Sequence, residues 1–243
     1  MTGQLRWWIV IPMKDTRHAK SRLGGDPVRR RALAVAMARD TLHAAAGAVC
    51  VDGVVLVCDQ PDAIPDLMVP GVRVEVRPRL GLNGALSAGA AVVRAENARR
   101  HLAALPADLP YLRSDELTVA LGWAARHPRA VVADREGVGT ALLTSRAGTQ
   151  LLPAFGPDSL SRHRASGARE VLVPARSGLR RDVDHQEDLM YGPGLGPRTY
   201  ATLRGCHFLA AAEDGVTLTA SQGAPSLRAG LPVFCDASVC IHE

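Results

Sequence analysis

The 243-residue sequence predicts an α/β fold with a mostly parallel central sheet flanked by helices. Apolar segments of strand length, rich in Val, Ile and Leu, recur between amphipathic helical patterns, the signature of strand and helix in alternation. The length suits one large domain, or a domain with an appendage, at about 100 to 200 residues per domain. A core of that size buries about three quarters of the unfolded surface without disulfide or metal staples.

The first strand is WWIVIPM, Trp7–Met13, followed by the basic loop 14–22 (KDTRHAKSR). Pro27–Ala46 reads as a long helix, because Pro27 suits a first turn and Leu33, Met37 and nearby alanines make an apolar stripe. Residues 53–59 (GVVLVCD) form a buried strand and 72–77 (VRVEVR) a half-exposed one, since apolar and charged side chains alternate there. Residues 81–95 run from a Gly-initiated loop into a helix of small residues that can lie close to the sheet. Residues 102–110 (LAALPADLP) make a short strand ending in an Asp between prolines. Residues 114–126 are a helix with Ser114 as its N-cap and acids in the first turn. Further strands are expected at 130–134, Thr140–Ser145 and 170–174, with helices at 157–166 and 186–191. Beyond Gly205 the apolar periodicity weakens, so residues 1–204 are read as the domain and 205–243 as a poorly specified tail.

Composition narrows the function. The longest apolar run near the start has seven residues, against about 20 for a membrane span, and no signal-peptide pattern is present. The expectation is a soluble cytoplasmic protein with no membrane partner. Five scattered cysteines without a C-x-x-C pair fit neither a disulfide framework nor a zinc site. The formal charge of +5 is spread along the chain without basic runs flanked by aromatics, so small phosphorylated ligands explain it better than nucleic acid. Among the 29 basic residues only Lys14 and Lys20 are lysines, and both lie in the first loop. A chain that otherwise uses arginine keeps a compact ammonium where a phosphate oxygen needs a point charge.

In an open parallel sheet, ligands bind outside the carboxyl ends of the strands. The loops 14–22, 81–86, 108–110 and 180–184 occupy such places. The glycines of a P-loop and of a G-x-G-x-x-G fingerprint are missing from the first loop, which argues against a nicotinamide or flavin cofactor. Lys14, Arg17, Lys20 and Arg22 can instead neutralise a polyphosphate. Asp108 is boxed by Pro106 and Pro110, and Asp182 and Asp184 flank the apolar Val183. Carboxylates from these two stretches would repel unless a cation such as Mg²⁺ sat between them. Asp108 as a turn residue and Asp184 as a helix N-cap are the structural alternatives. Thr140 beside Gly139, and Gly156 with Ser159, supply small donors for an anion, as an ordinary N-cap motif also would. No H-E-x-x-H or G-x-S-x-G pattern occurs, and the eight single histidines read as surface or capping residues.

Taken in order, IPMK…KSRL at 11–23, RRALAVAMARDTL at 30–42, GLNGAL at 81–86, LPADLP at 105–110, FGPDS at 155–159 and GLRRDVD at 178–184 resemble one family. It is the guanylyltransferase family of coenzyme F420 biosynthesis, related to the molybdenum-cofactor guanylyltransferases. The resemblance spans residues 7 to 203 and implies a single Rossmann-like nucleotidyltransferase domain. It implies GTP contacts from Lys14, Lys20, Arg22, Gly81 and Asn83, with Lys20, Arg22 and Asp108 catalytic. Asp108 and Asp182 match the magnesium positions, and Thr140, Gly156 and Ser159 match a phosphoenolpyruvate site. The implied reaction joins GMP to phosphoenolpyruvate. A 2-phospho-L-lactate acceptor, another phosphorylated acceptor, and a nucleotide-binding regulator without turnover are the alternatives. The oligomeric state is not readable.

Overall fold

A computed structural model describes residues 5–13, 23–59, 64–190 and 194–213. Its sheet has seven strands in the order β3-β2-β1-β4-β6-β5-β7. These are β1 (Trp7–Met13), β2 (Val51–Cys58), β3 (Val72–Val76), β4 (His101–Ala104), β5 (Arg129–Ala133), β6 (Thr140–Ser145) and β7 (Arg169–Glu170). Strand β6 is antiparallel to both β4 and β5, and every other pairing is parallel. The amino end of this reversed strand therefore lies at the same sheet edge as the carboxyl ends of its neighbours. Thr140 opens β6 at that edge.

Strand β1 sits centrally, and Ile9, Val10 and Ile11 are all fully buried, as expected of a parallel strand covered on both faces. Successive side chains point to opposite faces. Ile9 and Ile11 join Leu42, Leu56 and Leu117 in one core, while Val10 joins Val57, Leu86 and Val93 in another. The first core packs beneath α1 (Pro27–Ala46) and α4 (Ser114–Ala124), and the second beneath α3 (Gly81–Glu96) and α5 (Ser159–Ala165). A Cβ on Gly89 would crowd Val10 and Val57, so the small residues of α3 do bring it down onto the sheet. A third cluster gathers Leu23, Leu33, Met37, Tyr111, Val183 and Leu189.

Helix α1 begins where expected. Pro27 opens it and the Asp26 carboxylate accepts the Arg29 N–H at 2.9 Å. Three expectations need correction. The cap of α4 is Arg113, whose N–H donates to Glu116 at 3.3 Å, and Ser114 is already helical with its hydroxyl facing Gly47. Strand β4 stops at Ala104, because Pro106 and Pro110 remove ladder donors from the segment that follows. Strand β7 has two residues rather than five, since pairing ends before Pro174. Near α6 (Gln186–Met190), the N–H groups of Asp184 and His185 donate to the Asp188 carboxylate.

Three elements lie outside the expectations: the single turn α2 (Ile64–Leu67), a turn of 3-10 helix at Gly178–Arg180 and helix α7 (Pro197–Glu213). The start of α7 is held from a distance: the buried Asp40 carboxylate accepts the N–H groups of Arg198 and Thr199 at 3.2 and 2.8 Å and the Thr199 hydroxyl at 2.7 Å. By internal contacts the described residues up to Leu203 form one compact unit.

Candidate active site

Asp108 lies on the loop that leaves β4. Thr41 of α1 fixes this loop, accepting the Leu109 N–H at 3.1 Å and contacting the Ala107 carbonyl at 3.2 Å through its hydroxyl. The segment carrying Asp182 is pressed against the same loop. A Cβ on Gly178 would overlap the Tyr111 carbonyl, so only glycine permits this approach of two backbones. The Gly178 N–H donates to the Glu116 carboxylate, with both oxygens at 3.2 Å. Three residues on, the Arg181 guanidinium stacks over the Tyr111 ring at 3.6 Å. Finally the Val183 N–H donates to the Asp108 carbonyl at 3.1 Å, while the Val183 side chain is buried.

Burying Val183 leaves Asp182 half-buried and Asp184 exposed. Partial burial, then the negative charge of Asp108, push the Asp182 carboxyl up to about 6, with Asp184 and Asp134 adding to the effect. The charge of Asp108 thus reaches the Asp182 carboxylate.

Thr140, Gly156 and Ser159 also converge. The Ser159 hydroxyl meets the Thr140 hydroxyl at 3.0 Å, and the turn carrying Gly156 leads directly into α5. Gly156 has φ 121°, a backbone conformation that side-chain-bearing residues rarely adopt. Thr140 and Ser159 are themselves buried, whereas Gly156 is exposed. Asn83 ties this turn to the start of α3: its amide donates to the Phe155 carbonyl at 3.0 Å and its carbonyl accepts the Phe155 N–H at 2.8 Å. Gly81, exposed and with φ 64°, opens the same helix.

Lys14, Lys20 and Arg22 lie outside the described residues. Their loop leaves β1 at Met13, on the carboxyl edge. Three contributors were not legible in the sequence. Glu116 holds Gly178. Arg180 donates to the Asp134 carbonyl at 3.0 and 2.7 Å, joining the Asp182 segment to the β5–β6 turn. His163, read as a surface or capping residue, is fully buried and touches Thr140.

Among the described residues no helix is long and apolar enough to cross a membrane.

The sheet resembles solved nucleotidyltransferase-type folds. A Desulfovibrio desulfuricans G20 protein described as a nucleotide-diphospho-sugar transferase superposes with TM-score 0.61 at 16% identity, covering 86% of this chain and 98% of that one. A Mycobacterium tuberculosis H37Rv protein solved in complex with manganese superposes with TM-score 0.50 at 20% identity, covering 76% and 96%. At these identities the likeness establishes the fold. Sequence relatives are nearer. The phosphoenolpyruvate guanylyltransferase of Streptomyces scabiei strain 87.22 is 47% identical over 207 residues, 81% of this chain and 95% of the relative. That of Thermomonospora curvata is 45% identical over 204 residues, 82% and 89% of the two chains. The model of the family described as guanylyl transferase CofC like matches residues 7–190, and the chain belongs to that family of nucleotidyltransferases.

Proposed function

We propose that the chain transfers GMP from GTP to phosphoenolpyruvate, giving enolpyruvoyl-diphospho-guanosine and pyrophosphate, as a step of coenzyme F420 biosynthesis. The approach of Asp108 and Asp182 at the edge that also carries Thr140 and Gly156 supports this reading. The choice of acceptor rests on the relatives named for that substrate.

The acceptor needs no general base. Its phosphate has a second pKa of about 6, so at neutral pH the attacking oxygen is already an anion. That oxygen bonds to the α-phosphorus of GTP as the bond to the β-phosphate oxygen breaks. The obstacle is repulsion between two polyanions. Lys14, Lys20 and Arg22 are assigned to the triphosphate, where fixed positive charge offsets the charge that develops on departing pyrophosphate. Gly81 and Asn83 are assigned to the guanosine, with one amide hydrogen of Asn83 left over after its bonds to Phe155. Thr140, Gly156 and Ser159 are assigned to the acceptor.

The carboxylate pair suits a hard divalent cation. Asp108 already raises the proton affinity of Asp182, so a cation in place of that proton would relieve the repulsion. Asp108 and Asp182 would hold Mg²⁺, and the protein solved with manganese is in keeping with such an ion. When bound, the ion supplies charge neutralisation for phosphate oxygens. The cytoplasm is the compartment this reading takes, on its unpaired cysteine pattern and its nucleotide substrate.

The test is pyrophosphate release by the full chain with GTP and Mg²⁺, comparing phosphoenolpyruvate with 2-phospho-L-lactate. Release with phosphoenolpyruvate is expected. Release with 2-phospho-L-lactate alone would move the acceptor assignment, and GTP binding without release from either would leave a nucleotide-binding regulator.

A further inference from the structure

His163 lies one helical turn after Ser159 on α5, so the two share a face and both reach Thr140. Its ring is completely enclosed, packed edge-on to Phe155 with centroids 5.1 Å apart. Both ring nitrogens are engaged. The Ala154 N–H donates to Nε2 at 2.8 Å, and Nδ1 lies 2.9 Å from the Thr140 hydroxyl oxygen.

A backbone N–H can only donate, so Nε2 carries a lone pair and the ring proton of neutral histidine sits on Nδ1. Nδ1–H therefore donates to Thr140 Oγ1. Ser159 Oγ donates to the same oxygen at 3.0 Å. A hydroxyl oxygen has two lone pairs, and both are now filled. With Ser159 as the donor of that pair, the hydrogen of Thr140 finds no acceptor in the described bonds, although Thr140 is only 7% exposed. A buried donor without a partner is destabilising unless a ligand supplies one. Burial, with the charges of Arg129 and Arg162, brings the His163 ring down to about 4, which keeps it neutral at physiological pH.

We infer that His163 is a positioning residue of the acceptor pocket: by donating through Nδ1 it commits the Thr140 oxygen as acceptor and turns the Thr140 hydroxyl hydrogen toward an anionic oxygen of the substrate. This rests on the reading that the Thr140–Gly156–Ser159 corner holds the acceptor. An arrangement with the opposite tautomer would put two N–H groups face to face at Ala154 and release Thr140 to donate back to the ring. The pocket would then present a lone pair to an anion.

The test uses the full-length enzyme, assayed for KM and kcat with GTP and phosphoenolpyruvate, in the variants Thr140→Val, His163→Gln and His163→Asn. An Asn amide falls near the position of Nδ1 and can still donate to Thr140, whereas a Gln amide falls near Nε2 and serves Ala154 instead. Thr140→Val and His163→Gln are expected to raise the KM for phosphoenolpyruvate about tenfold, the scale of one lost hydrogen bond to a charged group, leaving the KM for GTP unchanged. His163→Asn is expected to restore most of that loss. If Thr140→Val weakens the acceptor and His163→Gln does not, the histidine has no positioning role while the pocket assignment stands. If Thr140→Val leaves the acceptor KM unchanged, the pocket assignment falls and takes the inference with it. Equal damage from both His163 variants, or a parallel rise in the KM for GTP, would reduce His163 to a packing residue. Long-range ¹H–¹⁵N spectra of the wild-type ring decide the matter without any variant: the Nδ1–H tautomer is expected at pH 7, and an Nε2–H tautomer or an imidazolium overturns the proposal.

Discussion

The Val183 N–H donates to the Asp108 carbonyl at 3.1 Å, and this one bond sets two distant loops in register. With Val183 turned into the core, the flanking Asp182 stays half-buried and feels the negative charge of Asp108. Nearness of the two acids thus follows from a backbone bond and a buried valine, and does not depend on attraction between the acids themselves.

Replacing either acid separates its two roles. Asp108→Asn is expected to lower turnover by more than about 100-fold with folding intact, as for removal of one preorganised electrostatic group. Asp182→Asn is expected to lower turnover similarly while raising metal-free stability at pH 7 by about 1 kcal/mol, because it deletes a half-buried charge that its neighbour repels. Adding Mg²⁺ is expected to raise the Tm of the wild type and not of Asp182→Asn. Turnover close to wild type in either variant would remove that acid from the mechanism.

Gly178 is the narrowest point of the same contact. Gly178→Ala forces a methyl into the Tyr111 carbonyl, and moving either backbone strains the Glu116 bond as well. A loss of about 2 kcal/mol is expected, within the range for overpacking. Turnover is expected to fall along with it, since the Asp182 segment is displaced from Asp108. Urea unfolding and the pyrophosphate assay check both parts, and an alanine variant of wild-type stability would show that the approach is not tight.

The pH dependence of stability has a definite sign. The unfolded chain protonates His163 near 6.5 while the folded chain resists until about 4, so the unfolded state binds more protons between these values. Stability from this group is complete above pH 6.5 and lost as pH falls toward 4, by about 3 kcal/mol in all. Asp182 runs the other way: raised from 3.8 to about 6, it makes the folded state the better proton binder and takes stability away as pH rises through that window. The two slopes oppose each other in the wild type. Denaturant midpoints measured from pH 4 to 7 are therefore expected to rise more steeply in Asp182→Asn than in wild type, and to lose that rise when His163→Asn is added.

Local signals were the readable ones. Pro27–Ala46 and Trp7–Met13 agree with expectation to the residue, because a proline start and an unbroken apolar run are written within the segments themselves. Helix α7 escaped notice because its N-terminal donors are satisfied by Asp40, 158 and 159 positions earlier in the chain. The acids at 108 and 182 stood out as candidates in the sequence, since Asp108 follows an apolar segment and Asp182 flanks the apolar Val183. His163 was not: an isolated histidine carries no spacing signal, and its partners Thr140 and Ala154 come together only once β6 and α5 are folded. The tie from Asn83 to Phe155, 72 positions away, was likewise not readable.

The reversed direction of β6 has a consequence for how such an enzyme can diversify. On the proposed reading, the nucleotide half is carried by β1 to β3 and their connections, and the acceptor corner by the chain that leaves and re-enters the sheet around β6. Insertions or exchanges in the turns before and after β6 would remodel which small anion is welcomed while leaving the triphosphate cradle and its acids in place. A single strand laid against the grain gives the fold an evolutionary seam, along which new acceptors can be tried without rebuilding the donor side.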